Sequence, residues 1–98
     1  MNGEPLVQKV VITNPQGFHM RPMAAFAQLA ARFESSVKVS REGQSVNGKS
    51  ILDLMLLAAA QGSELTLEVT GADAQSALDA LVNLLKIPPE EEPSEPSI

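Results

Sequence analysis

The spacing of apolar residues switches repeatedly between the period of a strand and that of a helix. Leu6 to Thr13 is dense in Val and Ile and runs into Asn14-Pro15-Gln16-Gly17, which predicts a strand and then a turn. In Met23 to Phe33, Phe26, Leu29, Ala30 and Phe33 take the i, i+3, i+4 and i+7 positions of one helix face. Val37 and Val39 then alternate with Ser36, Lys38 and Ser40, and Glu42-Gly43 turns the chain into a short second arm through Val46. These two pieces predict a hairpin. Asn47-Gly48 interrupts the pattern, and Ser50 followed three residues later by Asp53 resembles a capping box opening a short helix over Ile51-Leu52-Asp53-Leu54-Met55-Leu56-Leu57. Gln61-Gly62 supplies its stop. Leu65, Leu67 and Val69 alternate with Glu64, Thr66, Glu68 and Thr70 as a half-buried strand. Asp73 can cap a last helix in which Leu78, Leu81, Val82 and Leu85 share a face.

The order is β-α-β-β-α-β-α. Its strands alternate too clearly for a sheet covered on both sides, so an α+β fold follows: a four-stranded antiparallel sheet with three helices packed on one face. Residues 1–87 form the predicted domain. The run PPEEEPSEPSI over 88–98 has too little apolar content to fold and reads as a disordered acidic Pro/Glu-rich tail.

Composition narrows the function. A chain of 98 residues buries one modest core and has little room for a deep catalytic cleft. Without Cys, and with a single His, it offers no thiolate nucleophile, no disulfide framework and no zinc set. No cofactor or metal is expected. The start lacks the pattern of a secretory signal and no segment reaches spanning length, so the expectation is a cytoplasmic monomer that engages no membrane. The net charge of −5 is concentrated at Glu90, Glu91, Glu92 and Glu95, and neither half has the basic balance of a nucleic-acid binder.

The single histidine, His19, falls in the turn between the first strand and first helix, within Gly17-Phe18-His19-Met20-Arg21-Pro22. Pro22 suits a first helical turn. A helix start presents unpaired amides and the positive end of its dipole, which favour a phosphate, and Arg21 adds a planar, permanently charged donor. A neutral imidazole nitrogen is a competent nucleophile. A histidine at a helix start is commonly no more than a cap or a surface residue. In this setting it could instead accept a phosphoryl group and hold it.

That motif, with Asn47-Gly48-Lys49-Ser50-Ile51 and Gln61-Gly62 further on, resembles the histidine-containing phosphocarrier HPr family of the bacterial phosphoenolpyruvate-dependent phosphotransferase system. The resemblance runs from about Leu6 to Ile87 and includes the 31-residue separation of His19 and Ser50. It implies phosphorylation of His19 on Nδ1 by Enzyme I, stabilisation of the phosphoryl anion by Arg21, and passage of the group to an Enzyme IIA of a sugar or nitrogen-regulatory branch. The protein would be a covalent carrier and not an enzyme. The resemblance also implies that Ser50 matches the serine modified by HPr kinase/phosphorylase where the host has that enzyme. The alternative reading is a regulatory binding module, in which Ser50 phosphorylation controls association with a transcriptional regulator.

Two positions depart from the family pattern. Met20 stands where a small residue commonly follows the histidine, and Met23 where Ala commonly follows Arg-Pro; both bear on which partner surface the carrier fits. The second helix has more apolar residues than one buried face can absorb, and Ile51, Leu52 and Met55 are the expected exposed contact patch. The acidic tail lies outside the resemblance, as a linker remnant, a solubilising extension or a partner tether.

Overall fold

The computed structural model describes residues 4–13, 17–18, 20–57 and 60–86. Their elements are β1 (Leu6–Val11), α1 (Met20–Ala30), β2 (Ser36–Arg41), β3 (Gln44–Asn47), α2 (Ile51–Met55), β4 (Glu64–Thr70) and α3 (Ala74–Lys86), in the order the periodicity predicts. The four strands form one antiparallel sheet in the order β1-β4-β2-β3.

Strand register explains why the helices cover only one face. Leu6 and Val37 both pair with Val69, Val39 pairs with Leu67 and Val46, and Val10 pairs with Leu65, so the apolar positions form continuous rows on one side. Those rows meet Phe26 and Ala30 of α1, Leu54 of α2, Leu57 just after it, and Ala77, Leu81 and Leu85 of α3 in a single core. Glu68, Thr66 and Glu64 alternate onto the opposite side, where Lys38 and Glu68 form an exposed ion pair at 3.4 Å. A second helical layer there would bury those charges, which is costly without full pairing.

The hairpin between β2 and β3 closes through two residues, since Arg41 pairs directly with Gln44. Glu42 and Gly43 have φ of 52° and 88°. Positive φ at both positions is what a type I′ turn demands, because its twist matches that of the strands.

Several boundaries depart from the sequence reading, each for a local reason. β1 stops at Val11, while Ile12 is held beyond it by bonds to Ser63 and Gly62. Arg32 and Phe33 donate to carbonyls three residues back, which tightens the end of α1, so Phe33 packs on the core from outside the helix. α2 ends at Met55, well before Gln61-Gly62, as Leu56 and Leu57 also donate three residues back. Arg41 Nη1 then donates to the Leu57 carbonyl at 3.0 Å. Gln61-Gly62 belongs to the turn into β4.

Asp73 departs from its expected role as a cap for α3. Its carboxylate reaches across to the chain beyond α1, accepting from the Glu34 and Ser35 amides at 2.9 Å each and from the Ser35 hydroxyl. This joins the start of α3 to the end of α1. Since both helices lie on the same sheet face and pack together, they run antiparallel, and Lys86 at the end of α3 returns towards the start of α1.

Candidate functional site

His19 itself lies outside the described residues, but the chain on both sides of it is described. Gly17 has φ of 75°, a conformation that glycine adopts without strain. Phe18 is buried, with its ring edge-on to Phe26 at a centroid distance of 6.1 Å. Met20 begins α1. Position 19 is therefore flanked by a residue anchored in the core and by the first residue of a helix.

Arg21 is exposed in the first turn of α1, and Pro22 follows it where the missing amide hydrogen costs no helix bond. That turn has no acidic residue, so its amides and Arg21 form a positively polarised end. The departure at Met23 is absorbed internally: its side chain is buried among the core residues and presents nothing to a partner.

Ser50 is the N-cap of α2, with φ −116° and ψ 115°, and its hydroxyl accepts the Asp53 amide at 3.2 Å. The other half of the expected capping box is redirected. Asp53 accepts the Asn47 amide at 3.2 Å, while the Ser50 amide donates to the Asn47 carbonyl. Asn47 Oδ1 accepts the Lys49 amide at 2.9 Å, and Lys49 Nζ donates to the Phe33 carbonyl at 2.8 Å. The Asn47-Gly48-Lys49-Ser50 turn is thereby tied to both its own helix and the end of α1.

Sequence reading took Gly48 for a pattern breaker and missed its packing. A Cβ there would lie 2.6 Å from Val37 Cγ1 and 3.1 Å from Phe26 Cε1. The loop backbone rests directly on the core, so Gly48 sets how closely α2 and its cap approach the sheet. An Asn-Gly pair marks a turn but says nothing of which side chains press on it.

The apolar patch on α2 is partly as expected. Leu52 and Met55 are exposed, at 73% and 41%, while Ile51 is half-buried and packs partly against the core. Position 51 opens the helix on the side of Leu54, which is fully buried. Leu56, at 63% exposure, adds to the exposed apolar surface of Leu52 and Met55. α2 packs against α1, so these residues belong to the same helical layer as Arg21. Among the described residues no group of His, Cys, Asp and Glu could hold a metal ion, and no helix is long and apolar enough to cross a membrane.

The described residues make a small one-sided α+β domain with a cationic helix start and an exposed apolar neighbour. The family model described as the phosphotransferase-system HPr component phosphorylation site matches residues 6–86. Phosphocarrier protein HPr of Cupriavidus necator is 48% identical over 80 residues, covering 82% of this chain and 90% of that protein. A crystal structure of a phosphocarrier protein HPr from Bacillus anthracis str. Ames superposes with a TM-score of 0.77 at 37% identity, covering 81% of this chain and 94% of the other. HPr-like protein Crh of Bacillus subtilis is 46% identical over 74 residues, 76% of this chain and 87% of Crh. The chain belongs to the HPr family of the phosphotransferase system, whose members are phosphocarriers and not catalysts.

Proposed function

We propose that this protein carries a phosphoryl group on His19 between Enzyme I and an Enzyme IIA. The observation that carries the reading is the placement of position 19 between buried Phe18 and the first turn of α1, with exposed Arg21 two residues on. The Nδ1 lone pair forms the new bond to phosphorus. The bond from phosphorus to the donor breaks, and its electron pair stays on the donor. Arg21 and the first-turn amides stabilise the equatorial oxygens on which charge accumulates.

Reversibility favours such a sparse site. A carrier that bound the phosphoryl group tightly, or held a base able to activate water, would lose the group before passing it on. Leu52, Met55 and Leu56 supply the apolar surface on which partners dock. The domain proper is 1–87, it acts as a cytoplasmic monomer, and the segment 88–98 is appended to it.

A second reading is favoured by the Ser50 cap. A phosphoryl group on that hydroxyl would place about −1.5 to −2 charges beside exposed Leu52, opposing an acidic partner and favouring an arginine-bearing regulator. Transfer from phosphorylated Enzyme I separates the two: the carrier reading requires the wild type to accept the group and Arg21→Ala to accept it more slowly at unchanged folded fraction, and no transfer to the wild type would leave the regulatory reading.

A further inference from the structure

Asn47-Gly48 is one of two Asn-Gly pairs in the chain, the other being Asn2-Gly3. In a flexible peptide such a pair is chemically labile, because glycine has no side chain to hinder attack of its backbone nitrogen on the asparagine amide before it. The fold puts the two reacting groups in opposite surroundings. Asn47 is exposed, so its side-chain amide meets water, while Gly48 is buried. The Gly48 nitrogen, which would attack, donates its hydrogen to the Val37 carbonyl at 2.8 Å. Val37 and Phe26 fill the space beside the Gly48 α-carbon. On the other side, Asn47 Oδ1 accepts the Lys49 amide at 2.9 Å, and the Asn47 amide donates to Asp53 Oδ2 at 3.2 Å.

For the ring to close, hydroxide removes the Gly48 amide proton and the nitrogen bonds to Asn47 Cγ. The Cγ–Nδ2 bond breaks with its electron pair on Nδ2, which takes a proton from water and leaves as ammonia. Water then opens the cyclic imide at either carbonyl, leaving aspartate or isoaspartate at position 47, with nothing oxidised or reduced. The first step requires Gly48 to release the Val37 carbonyl and lift from the core. Conversion therefore follows the population of the opened turn, provided that opening and closing are fast beside the chemistry.

We propose that Asn47 is a deamidation site held in check by the turn over residues 47–50: it is spared while the turn is closed and converted when the turn opens. The isoaspartate product adds a methylene to the main chain between positions 47 and 48, which displaces Gly48 from its bond and its seat on the core. The aspartate product sets a second carboxylate close to Asp53. Both changes fall beside the Ser50 cap, so the converted protein carries a weakened start of α2. This chemistry needs water alone and does not depend on the carrier role.

The test incubates the full chain, folded and in concentrated urea, at the same mildly alkaline pH. Conversion at each asparagine is read by peptide mass spectrometry, and hydrogen exchange of the Gly48 amide is measured in the same proteins. In urea Asn47 and Asn2 should convert at similar rates, and folding should slow Asn47 by about tenfold or more. Asp53→Ala removes the acceptor of the Asn47 amide and should speed Gly48 exchange and Asn47 conversion together, by the same factor. Asp73→Asn loosens the junction of α1 and α3 away from the turn and should leave Asn47 conversion near wild type. An Asn47 that stays intact in urea while Asn2 converts would remove the site. Equal Asn47 rates in the folded and urea-unfolded chain, or unchanged conversion in Asp53→Ala, would overturn the protection by the turn. Equal acceleration in Asp73→Asn and Asp53→Ala would overturn it as well, by assigning conversion to unfolding of the whole domain.

Discussion

Asp73 holds both donors of Ser35: one carboxylate oxygen accepts the Ser35 amide at 2.9 Å together with the Ser35 hydroxyl, and the other accepts the Glu34 amide. Ser35 is buried, and these bonds satisfy its amide and hydroxyl. They also hold Asp73 below its ordinary value of 3.8, chiefly through the Ser35 hydroxyl and then the Glu34 amide, against a smaller opposing effect of desolvation.

A carboxylate with a depressed folded-state pKa contributes stability that is fully present above the unfolded value. That stability is lost as pH falls through the folded value. Urea midpoints should therefore fall below pH 4 in the wild type with an Asp73 contribution to the acid limb. In Asp73→Asn the midpoint should be lower at pH 7 and flatter with pH below 4. Parallel acid limbs in the two proteins would show that the Ser35 bonds do not favour the charged form.

Gly48 should not tolerate a methyl group. A contact of 2.6 Å to Val37 Cγ1 requires the loop or the core to shift, and overpacking of this kind costs about 1–3 kcal/mol. Gly48→Ala should lose that much by denaturant unfolding. The loss should be smaller when measured in a Val37→Ala background, where the clashing methyl is gone. Full additivity would mean that the glycine is needed for some other reason.

At the hairpin turn the expectation is a gain. Glu42 sits at φ 52°, which costs a residue with a Cβ roughly 1–2 kcal/mol and Asn less. Glu42→Asn should raise stability by about 0.5–1 kcal/mol. A neutral or negative change would indicate that the Glu42 side chain compensates for its backbone.

Ser50 separates cap from regulatory site. Ser50→Ala removes the acceptor for the Asp53 amide and should cost about 0.5–2 kcal/mol, whereas Ser50→Asp keeps a good cap. At matched folded fraction, Ser50→Asp should accept phosphate from Enzyme I more slowly than Ser50→Ala, through charge beside Leu52. Equal rates would leave Ser50 as a cap alone.

The elements were legible because their signals are local. Alternation in Glu64–Thr70, the Glu42-Gly43 turn and the Ser50 cap each declare themselves within a few residues. Resemblance added what spacing could not, the role proposed for His19. The illegible features depend on distant contacts. Nothing near Asp73 says that its carboxylate serves Ser35, 38 residues away. Nothing near Gly48 says that a Cβ there would meet Val37 and Phe26, 11 and 22 residues away.

The proposed carrier role requires that His19 hold the phosphoryl group. Incubation with phosphoenolpyruvate and catalytic Enzyme I, followed by mass spectrometry of the peptides, tests it directly. One phosphoryl group is expected on His19, acid-labile and base-stable as a phosphoramidate is, and none in His19→Ala. Undiminished labelling of His19→Ala, or an acid-stable label on another residue, would contradict it.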